Sequence, residues 1–449
     1  MSGLGAIPTA PGKLPLLGHV VPLLRRPLPF LASLPTYGDL VKVSLGPSRL
    51  VIICDPDLTH HLLQDDRTYD KGGPLYKWLR EIMGNGLIPC QHDSHRRQRR
   101  LIQPAFRKAC FPGYADAMAA EAYAATGSWR SGIAVDLIPE ILAVTSKVFN
   151  AALFSSALPG EVCTQLVEDN LTIVGGFARR MLMPPPLSRL PTRSNRSYEK
   201  ALSRLRHNLS VIVAKRRAES ADQGDLLSAL LTACGTDSDT DGLADSELVD
   251  ELVTFFLAGT ETTTAALAWS LHLLSQHPDI EQRLYAEVDA VLGGTPATYA
   301  DIPKLELTCR IITETLRLYP PAWFSTRTVT TNASLGGHTV PAGTSIAFSP
   351  FVIHHRSDLY DHPETFDPDR WSSSSSAATR KAHIPFGGGA RKCIGDTFAM
   401  IESSLVLATI AARWRLEPVP GRRVRHHLGA VLRPRELVMR PVLRRMNPE

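Results

Sequence analysis

Hydrophobic and polar positions alternate with a helical period over most of this chain. Beyond about residue 57 the pattern predicts helices for roughly 260 residues. The longest apolar stretch, Leu252 to Leu274, contains Glu261, His272 and several threonines. Polar and ionisable side chains are costly in lipid, so this stretch indicates a buried central helix and not a membrane span.

Short strands are predicted near both ends. Leu40 to Leu45 and Leu50 to Cys54 form a strand pair around a turn, and a second hairpin turns at Gly336-Gly337. The fold class is therefore mainly α with small β-sheets. We expect a single domain over 1–449, with a β-rich lobe at approximately 36–56 and 325–380 and a helical core elsewhere.

Composition narrows the class of protein. The 449 residues carry a net charge of +5, which is too mild to indicate a nucleic-acid partner. The seven cysteines are dispersed and odd in number, which is typical of reduced thiols in a cytoplasm and not of a disulfide framework. The N-terminal segment is rich in proline and lacks a long apolar run, so we expect no membrane anchor there. We expect a cytoplasmic monomer.

One glycine-rich segment carries the strongest chemical signal, Phe386-Gly-Gly-Gly-Ala-Arg-Lys-Cys-Ile-Gly395. Gly389 and Gly395 allow a tight turn, so that backbone N–H groups can approach the sulfur of Cys393. Phe386 can shield that sulfur from water, and Arg391 offers a positive fork to a carboxylate. A helix follows, and its N-terminus favours an anionic thiolate. The alternative is a glycine-rich turn around an ordinary buried cysteine.

This segment resembles the heme-binding signature of the cytochrome P-450 superfamily, FxxGxRxC followed by glycine. The resemblance runs from the proline-rich start to Leu432-Arg433-Pro434. It implies a triangular helical prism around heme b (iron protoporphyrin IX), with Cys393 as the proximal iron ligand. Phe386, Arg391 and Gly395 would then bind the cofactor. A thiolate ligand pushes electron density onto the iron and favours O–O cleavage, so the implied activity is a monooxygenase.

A local irregularity marks the long central helix. Ala258-Gly-Thr-Glu-Thr-Thr263 places a glycine and clustered threonines in the middle of a helix, which costs stability and indicates a functional position. The segment resembles the family's (A/G)Gx(D/E)T motif above the iron. Thr262 is then expected to hold a water by hydrogen bonds, and Glu261 to relay protons from solvent. The alternative is a polar residue satisfied within a core helix.

Further basic residues match positions that contact heme propionates in the family. His95 and Arg99 lie four residues apart on one helix face, and Arg327 follows the Glu314 helix. Glu314, Arg317 and Arg370 resemble a Glu-Arg-Arg cluster, expected to form a structural lock beneath the heme without a catalytic role. A surface role is the alternative for each basic residue taken singly.

The family's substrate-facing positions are apolar and aromatic in this chain. They indicate a hydrophobic, weakly functionalised substrate, and the segments at 7–19 and 69–73 resemble those of bacterial terpene-oxidising members. The predicted pocket residues are Trp78, Met83, Leu87, Phe177, Phe255, Ala258, Trp323, Phe324 and Val431.

The electron supply is expected to come from another protein, because the chain has no flavin or nicotinamide motif. Basic residues around these motifs favour an acidic ferredoxin, itself reduced by a ferredoxin reductase. The basic residues are Arg96, Arg97, Arg100, Arg107, Lys108 and Lys392. Two alternatives remain open: peroxide-driven or coupling chemistry on another natural product, and a heme-binding protein without catalysis.

Overall fold

The computed structural model describes residues 2–46, 48–154, 160–182, 190–219, 222–234, 242–372 and 376–444. The chain divides into two compact units. The first comprises Met1–Arg80, Pro89–Ser94 and Leu316–Cys393. The second comprises Glu81–Ile88, His95–Thr315 and Ile394–Glu449. The expectation of one domain stays a prediction.

A five-stranded sheet, in the order β2-β3-β9-β6-β4, is the centre of the first unit. Its strands are β2 (Leu40–Leu45), β3 (Ser48–Ile53), β4 (Tyr69–Asp70), β6 (Ser325–Val329) and β9 (Ser345–Phe348). Side chains alternate between its faces, since Val51 and Ile53 pack in one apolar cluster and Ile52 packs in another. The predicted strand pair is confirmed, with β3 beginning two residues earlier than expected.

The second predicted hairpin is also confirmed. Strand β7 (Ala333–Leu335) pairs with β8 (His338–Val340), which in turn pairs with β1 (Ser2–Gly3). Gly336 and Gly337 both have positive φ, as a two-residue hairpin turn requires. The other helices of this unit are short: α1 (Val20–Arg25), α2 (Pro27–Ser33), α3 (Pro56–Gln64), α14 (Pro350–His354) and α15 (Ala377–Ala382).

Three helices begin in one unit and end in the other: α4 (Pro74–Met83), α5 (His92–Ile102) and α13 (Glu306–Leu318). The second unit contains α6 (Phe111–Thr126), α7 (Leu137–Phe154), α8 (Gly160–Leu182), α9 (Arg193–Glu219), α10 (Leu226–Cys234), α11 (Asp245–Gln276), α12 (Pro278–Leu292) and α16 (Asp396–Arg413). The predicted central helix is α11. It is apolar and buried on nearly all sides.

Aromatic packing holds α11 within the second unit. The ring of Phe149 lies at T-shaped angles to those of Phe256 and Phe398. A Cβ added to Gly259 would lie 2.5 Å from the Phe149 ring, so glycine permits this close approach.

The predicted β-rich lobe is incomplete, because five further strands lie in the second unit. They form a sheet β10-β13-β5 and a pair β11-β12, outside the expected boundaries. These strands are β5 (Val135–Asp136), β10 (Trp414–Pro418), β11 (His426–Leu428), β12 (Leu432–Pro434) and β13 (Val438–Leu443). Three of them, β5, β11 and β12, have only two or three residues, and β10 and β13 each contain a proline, so the sequence gives little strand signal there.

Among the described helices, Leu137–Phe154 is the one whose length and composition would allow a membrane span, and 72% of it is buried inside the protein. Cys54 and Cys90 are buried, as expected for structural thiols, and burial raises the pKa of Cys54 to about 12. Cys393, by contrast, is exposed.

Candidate active site

The loop before Cys393 is held in a tight turn. The Cys393 N–H donates to the carbonyl of Phe386 at 2.9 Å, and Gly387 and Gly389 both have positive φ. A Cβ added to Gly389 would lie 1.9 Å from the carbonyl oxygen of Leu63. Glycine at 389 is therefore required by both conformation and space, as the sequence indicated.

Gly395 lacks the positive φ of Gly387 and Gly389. It is the N-cap of α16, and its φ of −95° is accessible to any residue. An added Cβ would come no closer than 3.9 Å to Phe106. A turn does lie at 394–395, as expected, but the conformation of Gly395 does not require glycine, and its cofactor role stays a prediction. The position of the helix is confirmed, because α16 begins three residues after Cys393.

The guanidinium of Arg391 is more fully engaged than the sequence suggested. Its side chain is 2% exposed and bonds the carboxylates of Asp66 (3.2 Å) and Asp70 (2.8 Å). It also donates to the carbonyl of Cys90 at 2.9 Å. The sequence predicts that this guanidinium binds a cofactor carboxylate. Much of its hydrogen-bonding capacity is instead used to hold the cysteine loop against other residues of the first unit.

Arg327 lies in a cationic cluster that sequence reasoning missed. Its guanidinium is buried and bonds the hydroxyls of Ser325 (3.0 Å) and Tyr76 (3.4 Å), and the ammonium of Lys71 donates to Tyr76 at 2.7 Å. Burial lowers the pKa of Lys71 to about 8. Burial alone raises the pKa of Tyr76, but Lys71 and Arg327 lower it to about 7.

This cluster has an excess of positive charge. Within the described part of the chain, neither Lys71 nor Arg327 forms an ion pair with a carboxylate. Buried cations are normally paired, so the site fits a ligand that carries carboxylates. The hydrogen bonds of Tyr76 join residues far apart in sequence, which is why no motif revealed the cluster.

The other expected propionate contacts lie on α5 in the second unit. His95 is 3% exposed and Arg99 is half-buried. Their spacing of four residues places them on one helix face, as predicted. Their role toward a propionate stays a prediction.

On α11 the threonines bond back along the helix as expected. Thr262 Oγ1 donates to the carbonyl of Ala258 at 2.7 Å, and Thr263 Oγ1 to that of Gly259 at 2.9 Å. Glu261 lies 3.9 Å from Arg433 with 14% of its side chain exposed. Burial raises the pKa of Glu261 to about 7, although Arg433 lowers it. Such a carboxyl exchanges protons readily near neutral pH.

A second buried carboxyl, missed from the sequence, touches the same helix. Glu402 on α16 is fully buried, and its Oε2 lies 3.2 Å from Thr263 Oγ1. Burial raises the pKa of Glu402 to about 8. It follows Cys393 by nine residues inside an apolar helix, a position that pattern alone would assign to the core.

Two residues of the predicted structural lock are buried, and Arg370 is half-buried. Glu314 and Arg317 have no exposed surface. Arg317 donates to the carbonyls of His354 and Pro363, and both Arg317 and Arg370 lie over the ring of Tyr360, at 5.2 and 5.9 Å. The two arginines are therefore brought together, and the lock itself stays a prediction.

The predicted pocket residues divide between the units. Met83, Leu87, Phe255 and Val431 are buried in the second unit, with Phe255 edge-on to Phe106. Also in the second unit, Ala258 is half-buried, whereas Trp78 is half-buried in the first. Trp323 and Phe324 pack against an apolar cluster of the first unit. The side chain of Phe177 lies outside the described residues.

Comparison with known proteins agrees with this geometry. A cytochrome P450 family model matches residues 8–442. Pentalenene oxygenase of Streptomyces avermitilis is 43% identical, over 96% of this chain and 96% of its own. Cyclooctat-9-en-7-ol 5-monooxygenase of Streptomyces melanosporofaciens is 44% identical, over 92% of this chain and 90% of its own. The crystal structure of the cytochrome P450DA heme domain aligns with a TM-score of 0.87 and 25% identity, covering 98% of both chains.

The chain belongs to the cytochrome P450 family. It is a P450 monooxygenase with the mainly helical fold of its class, it uses heme, and it requires a redox partner and a hydrophobic substrate. The residues present fit that cofactor, because Cys393 would offer a soft thiolate ligand and the buried cations near Arg327 favour carboxylates.

Proposed function

We propose that this enzyme inserts one oxygen atom of O2 into a terpene or terpenoid, using electrons from a ferredoxin. Two kinds of observation support the substrate class. The predicted pocket residues are apolar, and relatives that align over more than 90% of this chain are named for pentalenene and cyclooctat-9-en-7-ol. The resemblance over nearly the full length carries the proposal.

In this proposal the heme is held by the following residues. Cys393 would ligate the iron, with Phe386 and Gly395 in the same loop, and the bound heme would supply dioxygen activation. Lys71 and Arg327 hold carboxylates of the heme in the first unit, together with the remaining donors of Arg391. His95 and Arg99 provide further donors from α5.

Proton delivery falls to α11. Glu261 is mostly buried yet reaches solvent with part of its side chain, so it can take up a proton and pass it inward. Thr262 orients a water through Oγ1, while its bond to the Ala258 carbonyl fixes that hydroxyl. Glu402 holds a second proton at its carboxyl and acts as a positioning residue through Thr263.

Spectral titration tests the substrate class. Addition of pentalenene or cyclooctat-9-en-7-ol should shift the heme absorption band of the holoenzyme to the blue. A fatty acid and a sugar serve as comparison ligands. A blue shift with the fatty acid and none with either terpenoid would refute the proposed substrate.

The proposed ferredoxin docks through exposed basic residues. Arg96, Arg100, Arg107 and Lys108 are exposed in the second unit. Arg97 is an exception, because it pairs with Glu247 and donates to the carbonyl of Gly242. Contacts between exposed charges weaken with salt, so reduction by ferredoxin should slow as ionic strength rises. A rate that is indifferent to salt would contradict this partner.

We also infer a cytoplasmic monomer. The support is the cysteine content, together with the burial of most of Leu137–Phe154 inside the protein. Sedimentation of the purified holoenzyme would test the monomer, and sedimentation with lipid vesicles would test membrane binding. The mass of a dimer, or protein that pellets with the vesicles, would contradict the inference.

A further inference from the structure

The segment between α4 and α5 is bound to α11 by an unusual set of contacts. The Asn85 N–H donates to Oδ2 of Asp250 at 2.7 Å, and the Leu87 N–H donates to Oε2 of Glu251 at 2.9 Å. On the other side, the amide of Gln98 donates to the carbonyl of Asn85 at 2.8 Å. The backbone of this segment is therefore fixed by side chains of two helices.

An arginine from a third helix completes the arrangement. Arg206 on α9 donates to Oδ1 of Asp250 at 2.8 Å and to the carbonyl of Ile82 at 3.2 Å. Ile82 lies one residue before the end of α4, so its carbonyl belongs to the last turn of that helix. Arg206 thus joins α9, α11 and the last turn of α4, immediately before the segment.

Two glycines make this close approach possible. Gly84 has a φ of +60°, and an added Cβ would lie 2.1 Å from the Asp250 carboxylate. At Gly86 an added Cβ would lie 2.1 Å from Thr254 Oγ1. Any side chain at these positions would push the segment away from α11.

We propose that Arg206, Asp250 and Glu251 form a clasp that holds the Gly84–Leu87 segment on α11 and thereby sets the size of substrate the enzyme accepts. Met83 and Leu87, at the two ends of the segment, are both buried. The step to substrate size rests on the proposed function, in which these two side chains face the substrate. The three clasp residues are positioning residues, because they act through the backbone of the segment.

The matched variants are Arg206→Leu and Arg196→Leu. Both arginines lie on α9, but Arg196 is exposed, and its guanidinium donates to the nearby carbonyl of Pro191 and not to the Gly84–Leu87 segment. Gly84→Ala is a second route to the same perturbation, should Arg206→Leu fold poorly. Hydrogen exchange in the holoenzyme, followed by mass spectrometry, reports directly on the Asn85 and Leu87 amides.

Loss of the clasp should accelerate exchange of these amides by about tenfold or more, since local opening exposes them to water. Affinity for clotrimazole, a bulky azole, should then rise about fivefold relative to imidazole, with Arg196→Leu unchanged in both measurements. Unchanged exchange, or faster exchange with an unchanged ratio of the two azole dissociation constants, would overturn the proposal. If neither terpenoid shifts the wild-type spectrum while the azole ratio changes as expected, the proposed substrate is wrong and the clasp stands.

Discussion

Replacement of Glu402 by glutamine should stabilise the protein at high pH. The carboxyl is fully buried and its pKa is raised from 4.5 to about 8, so the folded protein retains a proton that the unfolded chain releases above pH 4.5. Stability contributed by this group is therefore complete below about pH 4.5 and falls until about pH 8. A glutamine that remains neutral removes this dependence.

The size of the effect follows from the pKa difference. At about 1.4 kcal/mol for each step of one in pKa, the rise from 4.5 to about 8 corresponds to roughly 5 kcal/mol. The glutamine amide also needs a hydrogen-bond partner, and leaving it without one costs about 1–3 kcal/mol, so a net gain of about 2–4 kcal/mol is expected at pH 8.

Denaturant unfolding of the holoenzyme at pH 5, 6.5 and 8 measures this gain. The difference between Glu402→Gln and wild type should grow steadily with pH. Glu161→Gln makes the same change at an exposed position on α8 and should stay within about 0.5 kcal/mol throughout. A Glu402→Gln difference that is constant with pH would refute the assignment of a buried, protonated carboxyl.

Three further predictions concern the heme site. Gly389→Ala should destabilise the holoenzyme by about 3 kcal/mol, because an added Cβ would meet the Leu63 carbonyl. Gly387→Ala should cost only about 1 kcal/mol, because a Cβ there would lie in open space. Equal losses of stability in denaturant unfolding would contradict this. Glu261→Gln should lower the turnover rate by about 10²-fold, and the pH–rate profile should lose its dependence centred near pH 7. A variant that keeps this profile would exclude Glu261 from proton delivery. Arg327→Leu should raise the melting temperature of the apoprotein, because a buried cation without a carboxylate partner destabilises the fold. The same variant should transfer heme to apomyoglobin about tenfold faster, because it lacks a cation that pairs with a heme carboxylate. A lower melting temperature of the apoprotein would show that other groups already stabilise the charge of Arg327.

Sequence reasoning found the features that local pattern determines. The turn at Gly389, the threonines of α11 and the strand pair at 40–54 all depend on residues close together in the chain, and the structure confirms them. Gly395 shows the limit of such reasoning. Its place in the heme-binding signature predicts a conformation that needs glycine, whereas its φ is accessible to any residue.

Features formed by distant residues could not be predicted. Tyr76 bonds Ser325 across 249 positions, and Glu402 meets Thr263 across 139. The partners of Arg391 are likewise distant in sequence, so the sequence does not show that its guanidinium already binds two carboxylates. Of the strands at 414–443, β11 and β12 have three residues each, too few for an alternating signal, and Pro418 and Pro441 in β10 and β13 argue against strands in the sequence.

The spectrum of the reduced, carbon-monoxide-bound protein tests the central claim most directly. A thiolate from Cys393 on the heme iron should give a strongly red-shifted absorption band, and Cys393→Ser should lose that band while the other described free cysteines remain. A purified protein that stays colourless after heme is supplied, or a band that survives Cys393→Ser, would contradict ligation by this residue.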